Sequence, residues 1–425
     1  MKNSILQKAS KWRKYVEPWY VSYALLGATM AGIAPILLPL TVNLSGGIAA
    51  VGWVMAAFNL GGLAAPIWGS LADRYHLHRW LMLGGLLTNA IALALFSFVN
   101  SLALYLTLAL IQGAGASASA TVSNLFIVEV WPSSEWDNRI GWLQTFYGGG
   151  QVGGLLLAGL LSQAGSHIGL IIAGGLSALA LLPGSLTRSP VNTHSRELIL
   201  QHTTRHVRWT LNAPQHFYHR LNLRTLKHIV FSFNRPFALF LIMWFFSFAG
   251  AAAFFSLYPV LMQKLYGAGP EISSAAFAVA AASGLALYAP AGRWSNRFSS
   301  LRVLQAALGV RLIAFVGLFA LGMEHFAGEG ALALFMFLFL VLAWSLMSVA
   351  GTSLAAEYSP AGEGEGMGIF SAITAFAGVI GSAGGGWSAG EWGYGAVSGL
   401  GTAGVAVGLV LSFFIVSLKR EKENK

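Results

Sequence analysis

An all-α integral membrane protein is predicted, with twelve transmembrane helices in two pseudo-symmetric six-helix bundles. Three observations predict it. The first is composition. Of 425 residues, 56% are hydrophobic and 9% charged, against about 45–50% and about 25% in soluble domains, and the mean hydropathy is +0.66. The second is a series of twelve apolar runs, each near the ~20 residues that a helix needs to cross a bilayer. The third is a set of charged motifs in the first half that recur in order in the second.

Taken in order, the runs fall near 18–44, 48–72, 80–99, 101–129, 139–163, 167–186, 236–262, 272–292, 302–323, 331–355, 366–388 and 393–417. Residues 1–17 carry Lys2, Lys8, Lys11, Arg13 and Lys14 without a small-residue cleavage site. They read as a cytoplasmic amphipathic start, not a signal peptide. Placing both termini inside puts 23 of the 25 Lys and Arg residues in inner loops, the exceptions being Lys264 and Arg311. An odd number of spans would scatter these charges, so the positive-inside rule supports twelve. It also accounts for the net charge of +10 without nucleic acid. The expected location is a cytoplasmic or inner cell membrane, crossed many times.

Between spans two and three, Gly69-Ser-Leu-Ala-Asp73-Arg74-Tyr-His-Leu-His-Arg79 packs an acid and two arginines into seven residues. A charge at the bilayer centre costs at least about 2.5–3.5 kcal/mol on the insertion scale. These residues therefore belong in a tight turn at the membrane surface. Gly69 allows a neighbouring helix to approach. Asp73 can accept from helix N-termini or pair with a guanidinium.

The long hydrophilic stretch 187–235 contains eight of the arginines and lysines and six histidines among scattered apolar residues. It divides the chain into bundles 1–186 and 236–425, and reads as a basic linker lying on anionic lipid. Its histidines lack metal-ligand spacing. The chain has no Cys, so thiolate metal sites and disulfides are excluded. No nucleotide-binding loop is present. No cofactor, no metal and no enzyme activity are expected.

The halves repeat. Gly69-Ser-Leu-Ala-Asp73-Arg74-Tyr75 aligns with Gly292-Arg-Trp-Ser-Asn296-Arg297-Phe298, and Arg79 with Arg302. Glu129-Val-Trp-Pro132 aligns with Glu357-Tyr-Ser-Pro360, each followed by a glycine-rich helix at 148–154 or 378–386. A duplicated six-helix unit implies parallel halves about an axis along the membrane normal.

On these residues the chain resembles the major facilitator superfamily. Gly69, Leu71, Asp73, Arg74 and Arg79 match its signature loop between helices 2 and 3, with His76 where a glycine is usual. The resemblance implies a single-chain, alternating-access secondary transporter, expected as a monomer, with a small-molecule substrate and the bilayer as partners. A proton is the candidate coupling ion. It implies that Asp73, Arg74 and Arg79 latch the two bundles on the cytoplasmic side in one state. Glu129 is a candidate partner for Arg79 or Arg139, and Glu357 for Arg297 or Arg302. The family's helix 4 motif, Arg-x-x-Gln-Gly-x-Gly, is Ala109-Leu-Ile-Gln112-Gly113-Ala-Gly115 here. The loss of its arginine argues against proton coupling. The Gly-Pro-x-x-Gly-Gly motif of helix 5 is Gly149-Gly150-Gln151-Val152-Gly153-Gly154, without the proline.

Substrate residues are expected between the bundles. Helix 7 carries Trp244, Phe248, Ala251, Phe255 and Tyr258 on one face, and helix 5 carries Gln144, Tyr147 and Gln151. Gln112 and Asn124 in helix 4 and Trp344 in helix 10 complete the candidate site. An aromatic stripe of this kind is more often packing or lipid contact than a binding wall. Arg311 in helix 9 is the strong charge at membrane depth. It can meet an anionic substrate, structure its bundle or contact a lipid headgroup, and the peripheral place of helix 9 in the family favours the latter two. An aromatic-rich, acid-poor interior gives efflux of amphipathic or hydrophobic compounds as the first reading. The alternatives are an uptake carrier or uniporter for a polar uncharged metabolite, and a lipid flippase or transport-silent sensor.

Overall fold

The computed structural model describes residues 15–75, 77–187, 235–323, 328–359 and 363–423, and all regular structure among them is helical. The expected basic start at 1–17 and the linker at 187–235 fall almost wholly outside these residues.

The first pass begins as α1 (Tyr20–Leu26), continues through a π-helical turn (Gly27–Ile33) and enters α2 (Ala34–Gly62). Pro35 lies two residues past the end of the π turn. A proline ring clashes with the carbonyl four residues earlier and lacks an N–H, and a widened turn relieves that clash. Within α2 the backbone reverses at Gly47, with φ 72° and ψ 179°, a conformation that only glycine adopts at little cost. The returning arm ends at Gly62 and resumes as α3 (Ala65–Tyr75).

The first half is completed by α4 (His78–Leu95), α5 (Leu102–Val130), α6 (Ser133–Ala164), α7 (Ser166–Leu179) and the short α8 (Leu181–Gly184). The second half comprises α9 (Arg235–Lys264), α10 (Pro270–Phe298), α11 (Ser300–Leu321), α12 (Glu329–Tyr358), α13 (Glu363–Trp392) and α14 (Gly395–Glu423). Among the described residues nine helical stretches are long and apolar enough to span a bilayer. The first of them, Tyr20–Ala72, contains the Gly47 reversal. Counting its two arms separately and adding α4 and α6 accommodates the twelve expected passes. Exposed positions are apolar as well as buried ones, Leu160, Val279, Ile313 and Phe413 among them. Lipid, not water, suits that surface.

The repeat is visible in packing. A Cβ on Gly150 or Gly154 would strike the backbone of Ala24 or Ala28 in the first pass. A Cβ on Gly381 or Gly385 would strike Ala249 or Ala253 in α9. In both halves, then, two glycines four residues apart seat the glycine-rich helix against two alanines four residues apart. Small residues let backbones approach where lipid supplies no hydrophobic drive between helices.

The halves meet where α2 packs on α13 and α9, and where α6 packs on α10. Gly52 and Gly386 touch backbone to backbone, so that a Cβ on either would lie 2.5 Å from the Cα of the other. Asn59 donates across the same seam to Ser382 Oγ at 3.0 Å and the Gly378 carbonyl at 3.4 Å. Near the far end of α6, a Cβ on Gly159 would lie 2.9 Å from Ser274 Oγ. These contacts close the end of the molecule that holds the Gly47 and Gly165 turns. At the arginine-rich end, α3 packs on α4 and α5 of its own bundle.

Candidate functional site

Between the halves lies a cavity of about 380 Å³. The first half contributes Pro35, Met55, Phe58 and Asn59 from α2 and Gln151 from α6. The second half supplies most of the wall. Phe248, Phe255, Phe277 and Trp344 make it aromatic, and Ser256, Tyr288, Arg311 and Ser345 make it polar. Among the described residues no Asp, Glu or His lines it. Ser256 is hydrogen-bonded to Ser382 at 2.6 Å, which in turn receives Asn59. The cavity floor is therefore tied to the closed seam between α2 and α13.

The expected substrate residues divide. Gln151, Phe255 and Trp344 line the cavity, as do Phe248 and Ala251 of the helix 7 stripe. Trp244 and Tyr258 of that stripe do not. Trp244 is buried, donates to Thr374 Oγ1 at 2.9 Å and packs on Phe370 at 4.6 Å between ring centroids. Tyr258 donates to the Ser273 carbonyl at 2.8 Å and stacks on Phe337 at 4.0 Å. Both hold α9 against its own bundle. Gln144 is exposed and donates to Asn124 Oδ1 at 3.5 Å, while Tyr147 rests on Tyr23 at 5.0 Å. This cluster joins α1, α5 and α6 but does not line the cavity.

Gln112 is fully buried inside the first bundle. Its Nε2 donates to Asn89 Oδ1 at 3.2 Å, and Asn89 donates to Ser177 at 2.9 Å and Thr29 at 3.3 Å. This network ties α4, α5, α7 and the π turn together. Removing a partner from such a network leaves a buried polar group unpaired, at about 1–3 kcal/mol. Gln112→Leu should therefore lower the thermal unfolding midpoint by several degrees and leave solute affinity within twofold, about 0.4 kcal/mol. Parallel melting and binding titrations check this.

The rim charges also divide. Arg139 is 1% exposed, and its Nε and Nη2 each lie 2.9 Å from Glu135 Oε2. Glu17 lies 3.6 Å away, and the guanidinium sits 3.3 Å from the Trp131 ring centroid. Its described partners thus belong to the first bundle, which makes it a clasp between the start of the first pass and the α5–α6 turn. The expected pairing with Glu129 falls on a side chain outside the described part, as does that of Asp73. Arg79 donates to the Ser185 carbonyl at 2.7 Å. Arg74 and Arg297 lie over their neighbours Tyr75 and Phe298, at 5.4 and 5.2 Å. Glu357 is exposed. Gly69 meets Thr121 Cγ2 at an ordinary 3.8 Å for an added Cβ, so this conformation has room for alanine there.

Two of the polar cavity residues outside the expected site carry the most weight. Asn59 is a lone amide in an apolar run, a signal of the same kind as Gln151. Arg311 is the other, where bundle structure or lipid headgroup contact is the favoured expectation. It is 2% exposed and reaches from α11 to the cavity wall, which rules out a headgroup role.

The Major Facilitator Superfamily sequence profile matches residues 19–363. No curated protein sequence matches the chain significantly. Among solved structures, a point mutant of the nucleoside transporter NupG superposes with a TM-score of 0.74 at 15% identity, covering 94% of this chain and 98% of that one. A D-xylose-proton symporter gives 0.69 at 16% identity, covering 94% and 95%. The partially occluded, inward-open xylose transporter XylE from E. coli gives 0.66 at 15% identity, covering 95% and 99%. At such identities these structures establish a shared fold. With the profile match over most of its length, the chain belongs to the Major Facilitator Superfamily and is a multi-pass membrane transporter, not an enzyme.

Proposed function

We propose that the chain carries one small organic solute at a time by alternating access, with the inter-bundle cavity as its site and uptake or facilitated passage as its task. The observation that carries this reading is the cavity itself. It is walled by both halves and shut at one end by direct contact between Gly52 and Gly386. Its size suits a metabolite, and Asn59, Gln151, Ser256 and Ser345 offer hydrogen bonds to one. The nucleoside and xylose carriers that share the fold are in keeping with a polar cargo. Efflux of amphipathic compounds is the second reading, favoured by the wall of Phe248, Phe255, Phe277 and Trp344.

By the positive-inside rule, the arginine-rich end faces the cytoplasm of a cell membrane, with both termini there. The closed Gly52–Gly386 end is then external, and the conformation faces inward. In this reading, residues 1–186 and 236–425 rock about the cavity, and the rim of Asp73, Arg74, Arg79, Arg297 and Glu357 engages when the cytoplasmic end closes. The exposed state of Arg74 and Arg297 here fits a latch that is open. Asp73→Asn should cut transport at least tenfold, about 1.4 kcal/mol, with normal insertion. Wild-type flux in that variant would remove the latch.

Counterflow in proteoliposomes tests the function. Saturable counterflow of a small polar compound is expected, without an acidity change in the lumen, since among the described residues no Asp, Glu or His lines the cavity. Energised, saturable extrusion of lipophilic cations by wild-type protein would replace uptake with efflux.

A further inference from the structure

We infer that the transported solute carries a single negative charge, a carboxylate or comparable anionic group, which Arg311 binds from the second bundle. This rests on the cavity being the solute site, as proposed above.

Arg311 lies at the midpoint of α11, eleven residues after Ser300 and ten before Leu321. It is 2% exposed. A guanidinium stays protonated in proteins, and a buried charge is costly unless it is paired. Among the described residues no carboxylate pairs with Arg311, and the ion pairs found there all centre on Arg139. Its one hydrogen bond runs from Nη1 to the Met347 sulfur, at 3.1 Å. Thioether sulfur is a weak acceptor. Nε is buried without a partner. Partial compensation comes from the faces of Phe255 and Trp344, each with its ring centroid 5.9 Å from the guanidinium carbon. That distance is near the outer limit for cation–π attraction.

A purely structural arginine would be expected to end on carbonyls or an acid. This one ends on a thioether and two ring faces, at the wall of a cavity open to solute. An intramembrane ionisable residue is by default a functional site whose partner must be found. Here the missing partner is the cargo. A planar fork of donors suits a carboxylate, which can accept two parallel bonds. The aromatic walls would take an apolar body attached to that group, and Asn59 and Gln151 face it from the other half. Because Arg311 sits on one bundle and the Asn59 and Gln151 amides on the other, an anion spanning them would bind both halves at once. That is the arrangement a carrier needs if cargo is to draw its bundles together.

The test uses purified full-length protein and matched pairs of aryl or alkyl monocarboxylates and their primary amides. Binding is read by tryptophan fluorescence, with Trp344→Phe to identify the signal from the cavity, and transport by counterflow in proteoliposomes. The expected result is that carboxylates bind about 10- to 100-fold more tightly than their amides, the range of a charge-assisted hydrogen bond. Arg311→Gln should abolish that preference, and Arg311→Lys should keep part of it. A melting curve for each variant separates loss of recognition from loss of fold. Three outcomes overturn the inference: amides bound and carried as well as carboxylates, an undiminished preference in folded Arg311→Gln, or neutral solutes carried while carboxylates are refused. In the last case the carrier reading stands alone. Saturable transport of either class with no response from Trp344 would move the solute elsewhere and remove both readings together.

Discussion

Gly52→Val should reduce transport at least tenfold while the protein inserts and folds normally. In the observed conformation a Cβ at this position would lie 2.5 Å from Gly386 Cα and 2.6 Å from the Ser382 carbonyl oxygen. Carbon atoms pack at about 3.5–4.0 Å, so α2 and α13 must part by about 1 Å to admit even a methyl. Overpacking typically costs about 1–3 kcal/mol. That cost falls only on the state in which this end is shut. Conformers of carriers differ by a few kcal/mol, so a penalty of this size moves the balance by about 5- to 150-fold toward the open state. The chain contains no cysteine, so one added Cys near the seam reports its accessibility without background. Flux should fall and labelling from outside should rise together. Gly62→Val is the control, because a Cβ at Gly62 meets nothing within 4 Å.

Arg139→Met should act on stability instead. Arg139 is nearly inaccessible and holds Glu135 by two contacts, Glu17 by one and Trp131 by its ring face. Truncating one side of a buried ion pair leaves charge uncompensated, at about 3–5 kcal/mol. Glu135 and Glu17 retain some solvent, 16% and 26% exposed, so the lower end, about 3 kcal/mol, is expected. The measurement is the yield of monodisperse protein and its melting midpoint in detergent. Both should drop sharply, and the accessibility of the Gly52 seam in surviving protein should not change. A normal melt with altered accessibility would make Arg139 part of the moving latch.

Much of this architecture could be read from the residues. The apolar runs place the passes, and the paired motifs at 69–75 and 292–298 announce the repeat. The site was harder to read. Gln112 and Gln151 are both amides in glycine-rich membrane helices, yet one donates to Asn89 inside its bundle and the other faces the cavity. A bilayer keeps amides away from lipid, and either location does so. The same holds along α9, where a single helical face carries Phe248 and Phe255 into the cavity but turns Trp244 and Tyr258 toward Thr374 and Ser273. Periodicity identifies a buried face without saying what covers it. Arg311 shows the limit for charge, since depth follows from sequence but the direction of a long side chain does not. The closing contact was hidden for another reason. Gly52 and Gly386 are two of 51 glycines, and only their juxtaposition across the bundles distinguishes them.

Alternation about a closed seam is the central claim, and a reversible lock tests it most directly. A Cβ on Gly390 would lie 3.4 Å from Ala49 Cβ, close to the roughly 3.5–4.5 Å that a disulfide spans. Ala49→Cys with Gly390→Cys, in a chain otherwise free of cysteine, should cross-link on mild oxidation. Counterflow would be measured in the same proteoliposomes before oxidation, after it and after reduction. The account predicts that cross-linked protein carries nothing and that reductant restores the original rate. Full-rate transport by protein shown to be cross-linked would mean that this seam never opens, and that solute crosses by another route.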